Sequence, residues 1–142
     1  MTRQRHDDQF AALPWRMGIG VEILLITSRE TRRWVIPKGW PMGKLTPAQC
    51  AAQEAFEEAG VEGMTEGRPF GHYAYGKRLK NGKVRELMVA VYPLRVGREH
   101  ADWPEKGERE ARWFAAADAA DQVAEPGLAE LIQTFARLKS GI

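Results

Sequence analysis

Several features that would place a protein in a specialised class are scarce or missing in these 142 residues. The single cysteine, Cys50, cannot form an internal disulfide, which fits a reducing cytoplasmic location. No apolar run approaches the roughly 20 residues that span a bilayer, and no signal-peptide hydrophobic region follows the polar N-terminus. The net charge of +2 is too small to indicate nucleic-acid binding. We therefore predict one domain over residues 1–142, without a membrane or nucleic-acid partner.

Histidine is also scarce, and its three copies are too scattered to form a metal-ligand pattern. The chain does contain apolar segments separated by polar turns. Their composition predicts strands over residues 10–15, 21–27, 34–37, 70–79, 84–96 and 111–114. We expect Pro14 to end or edge the first strand, and Asn81-Gly82 to form a hairpin turn.

Two helices are predicted, one after the third strand and one over residues 126–139, with a brief helical turn within 115–124. The first helix is well marked, since Thr46 is a good N-cap, Gln49 completes a capping box and Gly60 suits a left-handed C-terminal residue. Alanines at three- and four-residue spacing give it a face that can lie close to a sheet. This order of elements predicts an α+β fold with a mixed sheet between helices.

Three carboxylates, Glu54, Glu57 and Glu58, stand at the C-terminal end of that first helix. At helical spacing they project from one region of its surface, where they repel one another. Negative charge near a helix C-terminus is also unfavourable to the helix dipole. A solvated acidic face is the ordinary interpretation, but these two local penalties favour a divalent-metal site.

The segment from Gly39 to Val61 resembles the Nudix box, G-x5-E-x7-R-E-U-x-E-E-x-G-U, where U is aliphatic. The three glutamates, Gly39, Gly60 and Val61 all stand where the pattern requires them. Leu45 and Gln53 depart from it, since they replace a glutamate and an arginine. We expect Leu45 to pack against apolar neighbours and Gln53 to form neutral hydrogen bonds in place of the lost charge pair. The words RRWVIPKGW and REARWF are similar to those of diphosphoinositol-polyphosphate and diadenosine-polyphosphate hydrolases in this family.

The resemblance implies an α/β/α sandwich and a pyrophosphohydrolase that depends on Mg²⁺ or Mn²⁺. It implies that Glu54, Glu57 and Glu58 bind the metal and carry catalysis, with the Gly39 carbonyl as a further ligand and Glu54 as a candidate general base. It also implies a contribution from a glutamate of the 103–110 loop. Glu105, Glu108 and Glu110 are equal candidates, and a solvated loop charge is the alternative for each.

Basic residues near the box predict a polyphosphorylated small-molecule substrate. Candidate substrate-binding residues are Arg32, Arg33, Lys38 and Trp40. Trp40 either stacks on a base or packs under the loop, and packing is the favoured interpretation. Dinucleoside and diphosphoinositol polyphosphates are the first candidate substrates, ahead of ADP-ribose, nucleotide sugars and RNA 5′ ends. A catalytically silent ligand-binding domain is the alternative from another class, and family resemblance also implies a homodimer.

Overall fold

A computed structural model describes residues 6–141, which form eight strands and three helices. The strands are β1 (Gln9–Met17), β2 (Val21–Thr27), β3 (Trp34–Val35), β4 (Lys38–Gly39), β5 (Val61–Thr65), β6 (Gly71–Arg78), β7 (Val84–Glu99) and β8 (Ala111–Ala115). The helices are α1 (Pro47–Ala59), α2 (Ala116–Gln122) and α3 (Pro126–Lys139).

The strands form one mixed sheet whose main path runs β3-β2-β1-β7-β5, with β4 paired to β1, β6 to β7 and β8 to β2. β1 and β7 are parallel neighbours, whereas the other pairs are antiparallel. A chain that alternated strictly between strands and helices would give a parallel sheet. The mixed sheet confirms the prediction made from the order of elements.

Helices cover both faces of the sheet, so the predicted sandwich is also confirmed. On one face, α1 buries Ala51 and Ala55 against apolar side chains of β1, β2 and β7. On the other, α3 inserts Leu128, Ile132 and Phe135 into a second cluster. Fully burying a side chain of this size contributes about 1.5–3 kcal/mol. Both helices are therefore held to the sheet, and the ends of α1 are fixed relative to the strand ends beside it.

The predicted ends of α1 are confirmed in detail. The Gln49 backbone N–H donates to Thr46 Oγ1 at 3.2 Å, and the Thr46 N–H donates to Gln49 Oε1 at 2.9 Å. Gly60 has φ 70° and donates its N–H to carbonyl groups of the last turn. A Cβ at Gly60 would collide with the indole of Trp103, so glycine also lets the 100–110 loop pack on the helix end. The capping residues thus fix where the carboxylates of the last turn lie.

The first strand is longer than predicted, because it continues through Pro14 to Met17. The backbone nitrogen of Pro14 carries no hydrogen and faces the same side of β1 as the Ala12 N–H, which donates to the Pro37 carbonyl oxygen. On that side, pairing with β4 covers Phe10 and Ala11, and pairing with β2 begins only at Trp15. Proline is tolerated in the gap, and our expectation that it would end or edge the strand was wrong.

Several other elements also differ from the prediction. β5 was not predicted, and β7 continues to Glu99. The brief turn is a helix of seven residues, α2, and the chain reverses between β6 and β7 at Asn81-Gly82 as expected. Cys50 is buried, as a small apolar residue would be. Within residues 6–141, no helix combines the length and apolarity that a membrane crossing requires.

Candidate active site

A cleft of about 460 Å³ opens where the start of β1, the β3–β4 segment, the last turns of α1 and the 100–110 loop meet. We call it the central cleft. Its lining brings together six residues that the sequence predicted as candidates, namely Lys38, Gly39, Trp40, Glu54, Glu58 and Glu105. Two further lining residues, Gln9 and Arg109, were not predicted as site residues.

Glu54 and Glu58 form the acidic wall of the central cleft. They lie one helical turn apart, with 9% and 7% of their surfaces exposed. Burial and the neighbouring Glu58 carboxylate raise the pKa of Glu54 to about 9. Burial also raises the pKa of Glu58, although Arg109 and Lys38 oppose that shift. Two carboxylates this close and this dry cannot both be ionised unless a cation joins them, so the pair must hold a proton or a metal ion.

Gly39 lies directly against the Glu54 carboxylate. A Cβ at this position would overlap the Glu54 oxygens, so any residue larger than glycine would displace the acid. Glu57, the third predicted carboxylate, lies half-buried beside Glu54 outside the cleft lining. Its backbone carbonyl accepts a hydrogen bond from the Glu105 N–H at 3.0 Å. Two of the three predicted carboxylates thus lie in the cleft, and the backbone carbonyl of the third residue, Glu57, anchors the loop.

The donor set of this wall suits Mg²⁺ or Mn²⁺. Within residues 6–141, no group of three or more His, Cys, Asp or Glu side chains is arranged to hold a metal ion by itself. Mg²⁺ rarely needs such a cage, because it usually binds one or two carboxylates and completes its octahedron with waters and substrate phosphates. The buried Glu54–Glu58 pair supplies hard oxygen ligands and excess negative charge in an open cleft. These residues therefore fit the ion that the family resemblance implies.

Arg109 supports the acidic wall from the loop. Its guanidinium lies 3.0 Å from Glu105 Oε1, 3.8 Å from Glu58 Oε1 and 3.3 Å from the Thr27 carbonyl oxygen. The sequence analysis named only glutamates of this loop as candidates, so Arg109 was not predicted. A basic residue in a loop that the Nudix resemblance assigns to the site is the one signal that pointed to it, and Lys106 shares that signal.

Leu45 and Gln53, the two residues that differ from the box pattern, do not support the acidic wall. Leu45 is 42% exposed and Gln53 is also exposed. Our expectation that Leu45 would replace the lost charge pair by packing was wrong, because its side chain lies at the surface. Positive charge next to the box carboxylates comes instead from Arg109 and Lys38.

The three loop glutamates have different surroundings. Glu105 lines the central cleft and contacts Arg109, with Arg29 at 4.0 Å. Glu108 contacts Arg29 at 3.1 Å on the outside of the loop. Glu110 contacts Arg112 at 3.0 Å at the exposed edge of β8. Only Glu105 of these three therefore faces the carboxylates of α1.

The predicted substrate-binding residues fall into two groups. Lys38 lies in the cleft with its Nζ 4.4 Å from the centre of the Tyr75 ring, and burial lowers its pKa. Trp40 is 43% exposed at the cleft mouth, so it is not packed away under the loop. Arg32 lines a neighbouring pocket that shares Arg109 with the cleft. Arg33 lies outside the cleft lining and contacts Glu125 at 3.9 Å.

Comparisons with known proteins agree with this geometry. The family model of the NUDIX domain matches residues 7–135. Nudix hydrolase 12, mitochondrial, from Arabidopsis thaliana is 28% identical, covering 96% of this chain and 77% of the relative. Diphosphoinositol polyphosphate phosphohydrolase 3-beta from Bos taurus is 34% identical, covering 92% of this chain and 77% of the relative. The binary complex of C. elegans Ap4A hydrolase shares the fold, with a TM-score of 0.68 at 19% identity over 94% of this chain and 98% of that one. The chain therefore belongs to the Nudix family of hydrolases, as the segment from Gly39 to Val61 predicted.

Proposed function

We propose that this protein is a Mg²⁺- or Mn²⁺-dependent pyrophosphohydrolase that cleaves a phosphoanhydride bond in a polyphosphorylated small molecule. The buried Glu54–Glu58 pair carries this proposal, because a divalent ion can replace the proton that the pair otherwise holds, and the same cleft presents Lys38 and Arg109. Relatives named for diphosphoinositol polyphosphates and for Ap4A support dinucleoside or diphosphoinositol polyphosphates as substrates. We also propose that residues 1–142 form a single domain and that the protein is a homodimer.

The metal site in this proposal consists of the Glu54, Glu57 and Glu58 carboxylates and the Gly39 carbonyl. A divalent ion held by these residues would supply charge neutralisation for the phosphates and activation of the attacking water. Phosphoryl transfer asks the protein mainly for positioning and electrostatic stabilisation. Glu54 is the first candidate to accept the proton of the attacking water, because its side chain lines the cleft beside Glu58. Glu105 is the second candidate for that proton, because it is the loop glutamate that lines the same space.

Cationic side chains complete the proposed site. Lys38 and Arg109 line the same cleft as the Glu54 and Glu58 carboxylates and would offset phosphate charge. Arg32 extends this positive surface into the neighbouring pocket and Trp40 lies at the cleft mouth, both as substrate-binding residues. Arg33 would have to leave Glu125 to reach the substrate, so its part in binding is the weakest of the set.

The test is Glu58→Gln, which keeps shape but removes a ligand charge. Turnover of Ap4A and of a diphosphoinositol polyphosphate, measured as Mg²⁺-dependent phosphate-containing product release, should be abolished while the melting temperature is kept or raised. Glu130→Gln is the matched control and should keep wild-type turnover, because that glutamate is exposed on α3 and lines neither the central cleft nor the neighbouring pocket. Wild-type turnover by Glu58→Gln would refute the metal assignment.

A catalytically silent ligand-binding domain is the second candidate. The replacement of the box charge pair by Leu45 and Gln53 favours it, since outer support for metal ligands is typically worth about 10–100-fold in affinity or activity. A silent domain would be stabilised by a phosphorylated ligand without releasing product. A screen that adds ADP-ribose, nucleotide sugars and 5′-triphosphorylated RNA, with both metals, separates the two. A cytoplasmic location remains a prediction, and several relatives are named as mitochondrial or chloroplastic.

A further inference from the structure

A second cavity, of about 450 Å³, opens where the ends of β1 and β5 meet the last turns of α3. We call it the end pocket. Trp15 in its lining and Gln9 in the lining of the central cleft are about 20 Å apart along β1. Within the described chain, the two cavities share no lining residue. The volume lies within the range of about 300–1,000 Å³ that is typical of small-molecule sites.

The floor of the end pocket is a group of aromatic rings. Trp15 and Phe135 are 6% and 1% exposed, and their ring centres lie 5.2 Å apart in an edge-to-face arrangement. Phe70 packs edge-on against Phe135, with 5.4 Å between the ring centres. The two buried rings offer almost no surface to a ligand. They instead support the side chains that lie over them.

Exposed apolar side chains form the walls of the end pocket. Trp15 is opposite Arg95, and Arg95 is opposite Met64, so the three side chains project to the same side of the sheet. Met64 is 79% exposed, and Leu138 in the last turn of α3 is 63% exposed. Both side chains are therefore accessible to an apolar ligand, and the flexible thioether of methionine adapts to the shape of what it contacts.

Two cations lie over the aromatic floor. Arg95 Cζ is 5.2 Å and Lys139 Nζ is 5.3 Å from the centre of the Trp15 ring, where cation–π attraction holds them. Neither forms an ion pair with a carboxylate among residues 6–141. The described lining contains one acid, Glu66, against these two cations. This excess of positive charge complements a ligand with a single negative charge.

We propose that the end pocket binds a small amphipathic carboxylate, with its alkyl chain against Met64 and Leu138 and its carboxylate on Arg95 and Lys139. The planar guanidinium of Arg95 matches the two oxygens of a carboxylate. Glu66 repels a second negative charge, so a phosphate dianion fits less well. Binding at the end pocket is a function beyond the proposed hydrolysis and uses none of the residues of the central cleft.

Chemical-shift titration of the ¹⁵N-labelled, metal-free protein with octanoate, acetate and 1-octanol tests this proposal. Acetate has the charged group without the chain, and 1-octanol has the chain without the charge. The wild type should bind octanoate at least about 10-fold more tightly than either, because buried methylene groups and a charge-assisted hydrogen bond each contribute at least that factor. The shifts should be largest at the Trp15 indole and at the amides of residues 64–66 and 137–139.

Two variants separate the charged group from the chain. Arg95→Met keeps a long unbranched side chain and removes the charge, so it should weaken octanoate binding about 10-fold without weakening 1-octanol binding. Met64→Ser should weaken the binding of both ligands about 5-fold, because it removes an apolar wall. Arg98→Met and Met17→Ser make the same changes outside the pocket lining and should bind as the wild type does. All four altered residues are exposed, so each variant should fold.

Three results would overturn the proposal. One is octanoate binding no tighter than that of acetate or 1-octanol, and another is an Arg95→Met variant that binds octanoate as the wild type does. The third is octanoate-dependent shifts that lie around the central cleft instead of the end pocket. Since the titration contains neither metal nor polyphosphate, its result is independent of whether the protein is a hydrolase.

Discussion

Replacing Arg109 by glutamine tests whether this side chain joins the loop to the acidic wall. Its guanidinium contacts Glu105 at 3.0 Å, the Thr27 carbonyl oxygen at 3.3 Å and Glu58 at 3.8 Å. Glutamine is too short and uncharged to replace these contacts, so two carboxylates lose their shared cation. Removing one partner of a buried ion pair costs about 3–5 kcal/mol. Since Glu105 is partly exposed, we expect the lower end of that range, about 3 kcal/mol.

Urea unfolding of the metal-free protein at pH 7.5 measures this change. For a chain of this length, a loss of about 3 kcal/mol corresponds to a fall in melting temperature of roughly 10 °C. Arg112→Gln is the matched control, because its contact with Glu110 is exposed at both ends. Exposed pairs are worth about 0–1 kcal/mol, so the control should remain close to the wild type. Arg109→Lys should fall between the two, since it keeps the charge and loses the planar fork.

A double variant tests whether Arg109 and Glu105 act as a pair. If Arg109 acts through Glu105, Arg109→Gln combined with Glu105→Gln should destabilise by less than the sum of the single changes, because no charge is left stranded. Additive losses, or an Arg109→Gln loss no larger than that of Arg112→Gln, would show that the arginine does not hold the loop to α1.

Three further results are expected. Gly39→Ala should abolish metal-dependent turnover, because its Cβ would displace the Glu54 carboxylate, whereas Gly20→Ala should be neutral because nothing lies within 4 Å of its Cβ; phosphate release and melting temperature check both. Thr46→Ala should lower the free energy of unfolding by about 1 kcal/mol through loss of the α1 cap, measured by urea unfolding. Without metal, stability should fall between about pH 4.5 and about pH 9, because the unfolded chain loses the Glu54 proton there while the folded protein keeps it. Mg²⁺ should reverse most of that loss at pH 8.5, measured by thermal unfolding.

The parts of this molecule that the sequence predicted well are those that depend on near neighbours. The Thr46–Gln49 capping box and the Gly60 terminus act within a few residues, so they define α1 wherever the sheet lies. The spacing of Glu54 and Glu58 is likewise a property of one helix. Once the helix was predicted, their common side followed, and the cleft position of Gly39 followed from the box pattern.

The missed residues act across long stretches of chain. Arg109 meets the Thr27 carbonyl 82 residues away, and no local pattern distinguishes it from the other charges of its loop. Gln9 enters the site because β1 pairs with β4, a register that depends on the whole sheet. Pro14 is tolerated for a similar reason, since the gap between two partner strands is not visible in one segment. Long-range register, rather than residue type, limited the prediction of the site.

In the proposed metal site, a bound ion would stabilise the fold of the acidic wall in addition to its part in catalysis. Because the folded state raises the pKa of Glu54 to about 9 from 4.5, it binds more protons than the unfolded chain throughout that interval. Stability therefore decreases as pH rises through it, the opposite of the behaviour of a salt-bridged carboxylate. A divalent ion competes for the same oxygens, so its binding should release a proton near neutral pH and tighten with rising pH. Calorimetry of Mn²⁺ binding in two buffers of different ionisation enthalpy measures that proton. A wild-type protein that released none at pH 7.5, while Mn²⁺ still bound, would place the ion away from Glu54.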